Sequence, residues 1–199
     1  MSGALFCAVR FGAPTNGNKM SKEIFKFLDK SASSDYVKLA DGDKKSLRIL
    51  SQPVYGSELF VEGGKPIRWR HDATPPADLP VTEDRPRKFL AFVVYEYDTG
   101  RIKIWQFGQR GVIDQMAQLF GDDHWSTYEL VLSRRGAGMD TKYSLVGIGR
   151  QPEENLIGFA AEASEYVDLE QLFTGGNPFI KECPEISVEK TASPTNTAF

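Results

Sequence analysis

Aromatic and cationic side chains alternate along residues 89–107, which read FLAFVVYEYDTGRIKIWQF. Tyr95, Tyr97 and Trp105 offer rings on which bases could stack, and Arg101 and Lys103 offer charges for phosphates. Together these groups suit single-stranded nucleic acid, because every base has a π-face and every nucleotide carries a phosphate. The alternative interpretation is that the rings favour strands for packing reasons alone and cover a second, minor core.

A β-hairpin would position these side chains, because apolar and polar residues alternate on both sides of the turn at residues 98–100. We expect a type I turn in which Gly100 supplies the positive φ of a bulge. One face then pairs Tyr97 with Arg101, Tyr95 with Lys103, Val93 with Trp105 and Ala91 with Phe107. The other face pairs Glu96 with Ile102, Val94 with Ile104 and Phe92 with Gln106, and is the aliphatic face that suits a core.

A second predicted hairpin, residues 58–70, has a Gly-Gly pair at its tip and carries further cations. Arg68 and Arg70 alternate with Ile67 and Trp69, so the pattern predicts one basic face and one apolar face. Trp69 fits a core as well as it fits a platform for bases.

The segment that follows, residues 71–88, contains four prolines and no apolar periodicity, which predicts a long exposed loop with a cationic end. Cations at the end of this loop and on the strands could neutralise phosphates. The predicted nucleic-acid-binding residues are Arg48, Arg68, Trp69, Arg70, Lys88, Tyr95, Tyr97, Arg101, Lys103 and Trp105.

The order of predicted elements indicates a mainly β fold. Two strand pairs precede a short helix that starts near Gly111, and strands at 128–135 and 142–148 follow that helix. This order, with the helix between the third and fourth strand regions, is expected of an OB-fold, a five-stranded Greek-key barrel that holds oligonucleotides.

This assignment divides the chain into three parts. Residues 1–36 form an N-terminal arm with a short amphipathic helix at 21–29, and residues 37–150 form the OB-fold. Residues 151–199 form an acidic C-terminal segment in which 156–173 could hold one more amphipathic element. From residue 174 onward, Gly, Pro, Ser and Thr dominate, so we expect the chain end to be flexible.

Composition argues against several functional classes. No run of about 18 apolar residues occurs, so we expect no membrane span and a cytoplasmic protein. Cys7 and Cys183 fit free thiols in a reducing cytosol. Together with His71 and His124 they form no metal-ligand spacing, so we expect no metal and no cofactor. Clustered carboxylates or a nucleophile with its base are not evident, so the chain does not resemble an enzyme.

The net charge of −3 is unevenly distributed along the chain. Residues 1–36 and 37–152 each carry +2, whereas residues 153–199 carry −7. A mildly basic body with an acidic tail is common among proteins that handle nucleic acid, where the tail competes with the ligand or recruits partners. An ordinary soluble domain with a solvated tail has the same pattern.

Three segments together resemble the single-stranded DNA-binding proteins of tailed bacteriophages. They are KLADGDK at 38–44 leading into LRIL at 47–50, KFLAFVVYEYDTGRIKIW at 88–105, and RRGAGMDTKY at 134–143. The resemblance implies an OB-fold protein that coats exposed strands during phage DNA replication, recombination and repair in the cytoplasm of the bacterial host. It also implies that Tyr95, Tyr97, Lys103 and Trp105 face the DNA.

The leading hypothesis is therefore sequence-independent binding of single-stranded DNA without catalysis. An RNA-binding OB-fold remains an alternative, because a contact to the 2′-hydroxyl leaves no residue signature. A phage structural or adaptor protein that uses the hairpin face as a protein interface is a third interpretation. Replication or recombination proteins are the candidate partners of the acidic C-terminal segment, and the sequence leaves the oligomeric state open.

Overall fold

The computed structural model describes residues 34–62, 64–82, 84–121, 127–184, 186 and 188. The helix predicted at 21–29, the thiol of Cys7, the side chain of His124 and the last residues of the chain lie outside this described part. The strands are β1 (Lys44–Ile49), β2 (Val54–Leu59), β3 (Ile67–Arg70), β4 (Arg87–Glu96), β5 (Arg101–Phe107), β6 (Tyr128–Arg135) and β7 (Lys142–Gly149). The helices are α1 (Arg110–Phe120), α2 (Glu154–Tyr166) and α3 (Gln171–Thr174).

Strand β4 organises the sheet because it pairs along both of its edges. One edge pairs with β5, and the other pairs with β2 and then with β1. β1 and β2 run in the same direction along β4, separated by residues 50–53, where Pro53 cannot donate a hydrogen bond to the sheet. The Ser51 hydroxyl accepts a hydrogen bond from the Val93 amide at 2.9 Å, which satisfies a β4 donor at this break.

The strand order is β3-β2-β4-β1-β6-β7, with β5 on the other edge of β4, and all these pairs are antiparallel. The prediction of a mainly β fold with a short helix between β5 and β6 is confirmed. Among the described residues β5 and β7 do not pair, so the sheet is open. The five-stranded OB-fold barrel that we predicted is therefore not confirmed.

The outer edges of β5 and β7 are both partly covered. Tyr36 makes a parallel bridge to Ile104, in which the Ile104 amide donates to the Asp35 carbonyl at 2.8 Å and the Val37 amide donates to the Ile104 carbonyl at 2.9 Å. On β7, the Leu145 amide donates to the side-chain oxygen of Gln115 in α1 at 2.7 Å. Because unpaired edge groups invite another strand to add, these contacts reduce the exposed edges of the open sheet.

Hydrophobic cores lie on both faces of the sheet. The inner core includes side chains from β1, β4, β5, β6, β7 and α1. Its buried members are Leu47, Phe92, Val94, Trp105, Phe107, Val112, Met116, Leu130, Leu132 and Leu145. The outer core joins the opposite face of β4 and β5 to α2 and α3, with Leu156, Phe159 and Leu172 from the C-terminal segment. The hairpin of β4 and β5 is thus packed on both sides.

Candidate nucleic-acid interface

The β4–β5 hairpin has a longer turn than the sequence indicated. Glu96 pairs directly with Arg101, and the Gly100 amide donates to the Glu96 carbonyl at 2.9 Å, so four residues form the loop. The positive φ predicted for Gly100 is confirmed, with a value of +66°. The predicted pairing is nevertheless wrong by one residue, and a slip of one residue moves every side chain of one strand to the other face.

The predicted ring platform is divided between the two cores as a result. Tyr95 lies opposite Ile102 and packs in the outer core, whereas Trp105 lies opposite Phe92 and packs in the inner core. Each of the two rings is only 2% exposed. The Trp105 ring contacts Phe107 at a centroid distance of 4.3 Å. Tyr95 and Trp105 therefore do not share an exposed face in this structure.

Lys103 also lies inside the fold, in an ion pair with Glu96, which is 1% exposed. Thr99 donates its hydroxyl to the same carboxylate at 2.6 Å, and the Lys45 ammonium lies 3.4 Å from its other oxygen. Burial raises the pKa of Glu96, but hydrogen bonds from Lys103 and Thr99 and the charges of both lysines outweigh it, so the pKa lies below its ordinary value. These contacts make Lys103 the charge partner of a buried carboxylate.

Arg48 and Tyr97 belong to a polar network between the hairpin and the start of α2. Arg48, 2% exposed, donates to the Tyr97 hydroxyl and to the Arg150 carbonyl, both at 3.0 Å. Tyr97 donates to the Glu153 carboxylate at 3.1 Å, and the Arg150 guanidinium lies 4.8 Å from the Tyr97 ring centroid. Burial is the main reason why the pKa of Tyr97 rises to about 12. This network joins elements of the fold to one another.

The predicted site residues on β3 are also buried or form ion pairs within the fold. Trp69 is buried, at 8% exposure. Arg68 donates to the carboxylate of the buried Glu58 at 3.1 Å. Arg70 is exposed and makes two hydrogen bonds to the Glu170 carboxylate before α3, at 2.8 and 2.9 Å. These two arginines connect β3 to its neighbours, and Arg70 holds the C-terminal segment against the sheet.

Lys88 and Arg101 are the two predicted site residues that are exposed and have no acidic partner within the described part of the chain. They lie near opposite ends of the hairpin, since Lys88 is at the start of β4 and Arg101 at the start of β5. The structure therefore separates the accessible members of the predicted set from its buried rings.

Accessible rings occur instead beside Lys88, on the arm of the sheet formed by β2 and β3. The exposed His71 ring packs on the Tyr55 ring at a centroid distance of 4.2 Å and an angle of 37°. The Lys88 ammonium lies 6.0 Å from the Tyr55 centroid. Phe60, 43% exposed, carries the Arg87 guanidinium at 5.8 Å from its centroid. Arg87 and Lys88 are consecutive residues of β4 and point to opposite faces of the sheet, so the Arg87–Phe60 pair does not share a face with Lys88. We call Tyr55, His71 and Lys88 the arm surface.

Sequence reasoning missed the arm surface because its members are far apart in the chain. The register that pairs Gly56 with Arg70 places His71 beside Tyr55, and the His71 amide donates to the Tyr55 carbonyl at 3.2 Å. No local periodicity indicates this register. The available signal was composition alone, a tyrosine within one short strand and a histidine directly after another, near a cationic loop end.

The arm surface can stack planar groups and attract anions, and it shows no pairing of a nucleophile with a base. Among the described residues, no group of three His, Cys, Asp or Glu side chains is placed to hold a metal ion. No helix in the described part of the chain has the length and apolar character required to cross a bilayer. Comparisons with protein-family models, curated proteins and solved structures gave no match to this chain.

Proposed function

We propose that this protein binds single-stranded DNA independently of sequence, and that the arm surface is a principal contact. The observation that carries the proposal is the stacked pair of His71 and Tyr55 beside the exposed Lys88. An accessible ring next to a cation is the arrangement with which proteins bind unpaired bases and their phosphates. An uncharged sugar or an apolar ligand would make no use of Lys88.

The strand path supports an OB-type assignment. β1 and β2 follow one another along β4 and can be counted together as one bent first strand, after which β4, β5, β6 and β7 complete a set of five. Helix α1 lies between the third and fourth strands of this set. OB-folds are partly open five-stranded barrels that commonly bind oligonucleotides, so an open sheet is compatible with this proposal.

The resemblance to phage single-stranded DNA-binding proteins supports the same function. On this proposal the protein coats strands exposed during phage replication, recombination or repair, in the cytoplasm of the host cell. The buried positions of Tyr95, Trp105 and Lys103 shift the proposed contacts from the hairpin to the arm. Arg101 remains available as a phosphate contact at the other end of the hairpin.

The test is a titration of labelled oligo-dT, followed by fluorescence anisotropy, with duplex DNA and RNA of equal length as comparisons. We expect the single strand to bind more tightly than the duplex, and log affinity to fall with log salt by about 0.7 per phosphate contacted. His71→Ala should weaken binding by about 1–3 kcal/mol, the usual contribution of a ring that stacks on a base.

Lys88→Ala should weaken binding and reduce the salt slope by about 0.7, since one phosphate contact is lost. The matched control is Lys38→Ala, which removes an exposed lysine that is not part of the arm surface. A folded His71→Ala variant with the affinity of the parent would exclude the arm surface as the site. Preference for duplex would contradict the proposal, equal binding to RNA would widen the ligand class, and no binding at all would favour the adaptor interpretation.

A further inference from the structure

An open groove of about 390 Å³ lies on the outer face of β6 and β7. Its floor is aliphatic, because Val131 pairs with Val146 across the two strands and Ile148 continues the same face. Val146 and Ile148 are 53% and 48% exposed, an unusual degree for large apolar side chains on a sheet. Within the described residues, α2 and α3 pack over β4 and β5 but not over this part of the outer face.

Cations lie at one end of the groove, where Lys44 and Arg135 line it. Arg135 and Lys142 form a cross-strand pair on the same face as Val146, and Lys44 pairs with Ser133 on the neighbouring strand. All three side chains are exposed, and none has an acidic partner in the part of the chain that the structure describes. Because like charges directly opposite one another are unfavourable, this edge suits an acidic ligand.

The outer face of α2 has the complementary character. The helix buries Leu156 and Phe159 against the outer core, while Ile157 on its other side is 54% exposed. Glu154, three residues before Ile157 and on the same side of the helix, is exposed, and the helix contains no lysine or arginine. α2 therefore presents an apolar side chain beside an acidic one, and the groove presents an apolar floor beside basic ones.

We propose that α2 of one copy docks in the β6–β7 groove of a second copy when both occupy the same DNA strand. This inference rests on the proposed function. Ile157 would lie on Val146 and Ile148, and Glu154, on the same side of α2, would approach Lys142. The aliphatic floor favours a protein occupant over a base, because bases stack on aromatic rings and the groove has none.

The contact is too small for a stable dimer in dilute solution. Thirteen residues of helix are about 20 Å long and present a face about 10 Å wide, or about 200 Å². Stable interfaces bury about 800 Å² on each partner. A strand that holds two copies side by side raises their effective concentration, so a weak contact then appears as cooperative binding.

The contact joins two different surfaces, and such heterologous contacts continue from one copy to the next unless the rotation closes a ring. Binding to a strand that accommodates several copies should therefore be cooperative. Binding to a strand that accommodates one copy measures the DNA contact alone. Cooperativity on the long strand therefore tests the docking contact, and affinity for the short strand tests the proposed function.

The experiment compares labelled oligo-dT of about 8 and about 40 nucleotides, since an OB-fold occupies about 4–16 nucleotides. Lys142→Glu and Glu154→Lys should each lower the cooperativity on the long strand by about tenfold, because like charges then face each other across the contact. The double variant should restore cooperativity, since it reverses both sides of one ion pair. Ile157→Ala should lower cooperativity without a change in charge.

The charge-matched controls are Lys38→Glu and Glu182→Lys, which make the same changes at exposed positions outside the groove and outside α2. Each should leave the cooperativity factor as in the parent. Affinity for the short strand should not differ between Lys142→Glu and Lys38→Glu. A selective loss of short-strand affinity in Lys142→Glu would show that the groove contacts DNA, and would overturn the proposal.

Non-cooperative binding by the parent, or failure of the double variant to recover, would also overturn it. If the protein bound neither the short nor the long oligo-dT, the proposed function would be wrong. The docking contact would then be tested by self-association of the protein without DNA. Sedimentation velocity at high protein concentration should then show weak self-association in the parent and in the double variant but not in either single variant. Equal behaviour of all four proteins in that measurement would exclude the docking contact.

Discussion

The β4–β5 hairpin and the arm of β2 and β3 carry similar side chains in different surroundings. Both combine aromatic rings with lysines and arginines, but the hairpin is packed on both faces and the arm is not. Trp105 is 2% exposed, whereas His71 is exposed. Lys103 meets a buried carboxylate, whereas Lys88 meets the Tyr55 ring and solvent.

The comparison shows that composition alone does not distinguish a binding surface from a core. What decides is the neighbour on each side of the strand. β4 has strands on both edges and helices over both faces, whereas β3 is at the end of the strand order and has β2 as its single strand partner among the described residues. Aromatic rings are favoured in both places, for packing in one and for ligand contact in the other.

The largest expected contrast is between Trp105→Ala and Tyr55→Ala. Removal of the buried Trp105 ring leaves a cavity beside Phe92 and Phe107, so the free energy of unfolding should fall by about 3–5 kcal/mol. Tyr55 is half-buried, and its removal should cost clearly less stability while weakening DNA binding. Urea denaturation and oligo-dT titration measure the two effects. If Trp105→Ala stayed stable and lost DNA binding, the roles assigned to the two regions would be reversed.

The next contrast is between Lys103→Met and Lys88→Met. Loss of Lys103 leaves the buried Glu96 with Lys45 as its remaining cation, so the cost should be near the lower end of the 3–5 kcal/mol typical of broken buried pairs, or about 3 kcal/mol. Lys88→Met, at an exposed position, should change stability by less than about 0.5 kcal/mol. If both variants lost the same free energy of unfolding in chemical denaturation, burial would not distinguish the contributions of the two lysines to stability.

The pH dependence of the same variants sharpens this contrast. The pKa of Glu96 is lower in the folded protein than its ordinary value, so Glu96 stabilises the fold above that ordinary value, about 4.3. This contribution is lost as pH falls through the folded pKa. The parent and Lys88→Met should therefore lose stability in acid to the same extent, and Lys103→Met should lose less, because its contribution from Glu96 is already reduced.

The smallest expected effect concerns Tyr97→Phe. The variant loses hydrogen bonds to Arg48 and Glu153, which should cost about 1 kcal/mol at neutral pH. The pKa of Tyr97 is raised from 10.0 to about 12, so the neutral phenol stabilises the fold below pH 10 and this contribution disappears as pH rises toward 12. Between pH 9 and 12, the free energy of unfolding should fall less steeply in Tyr97→Phe than in the parent. An unchanged slope would contradict the network described for this side chain.

Much of the fold could be predicted from local patterns. The alternation along β4 and β5, the apolar spacing of α1 and the glycine-rich turn between β6 and β7 each identified an element within one or two residues. Gly100 was expected to adopt positive φ and does so. Such features depend on residues that are close in the chain, where propensity and periodicity act directly.

The register and the site could not be predicted in the same way. The turn sequence fits a three-residue loop, Asp98–Gly100, and also a four-residue loop, Tyr97–Gly100. The difference between the two loops reverses the faces of β5 relative to β4. The alternation along the hairpin did not reveal that Leu156, Phe159 and Leu172 cover its outer face. Whether a ring is a ligand contact depends on such distant packing.

The central position of β1 has a consequence for synthesis of the chain. β4 with β5, and β6 with β7, are hairpins whose strands follow one another, but Leu47 of β1 pairs with Leu130 on β6, 83 positions later. At about 5–20 residues per second, about 4–17 s of translation separate these two residues. β1 is therefore synthesised before β4 and β6 exist to pair with it, and the strand in the middle of the finished sheet is among the last to acquire both of its neighbours.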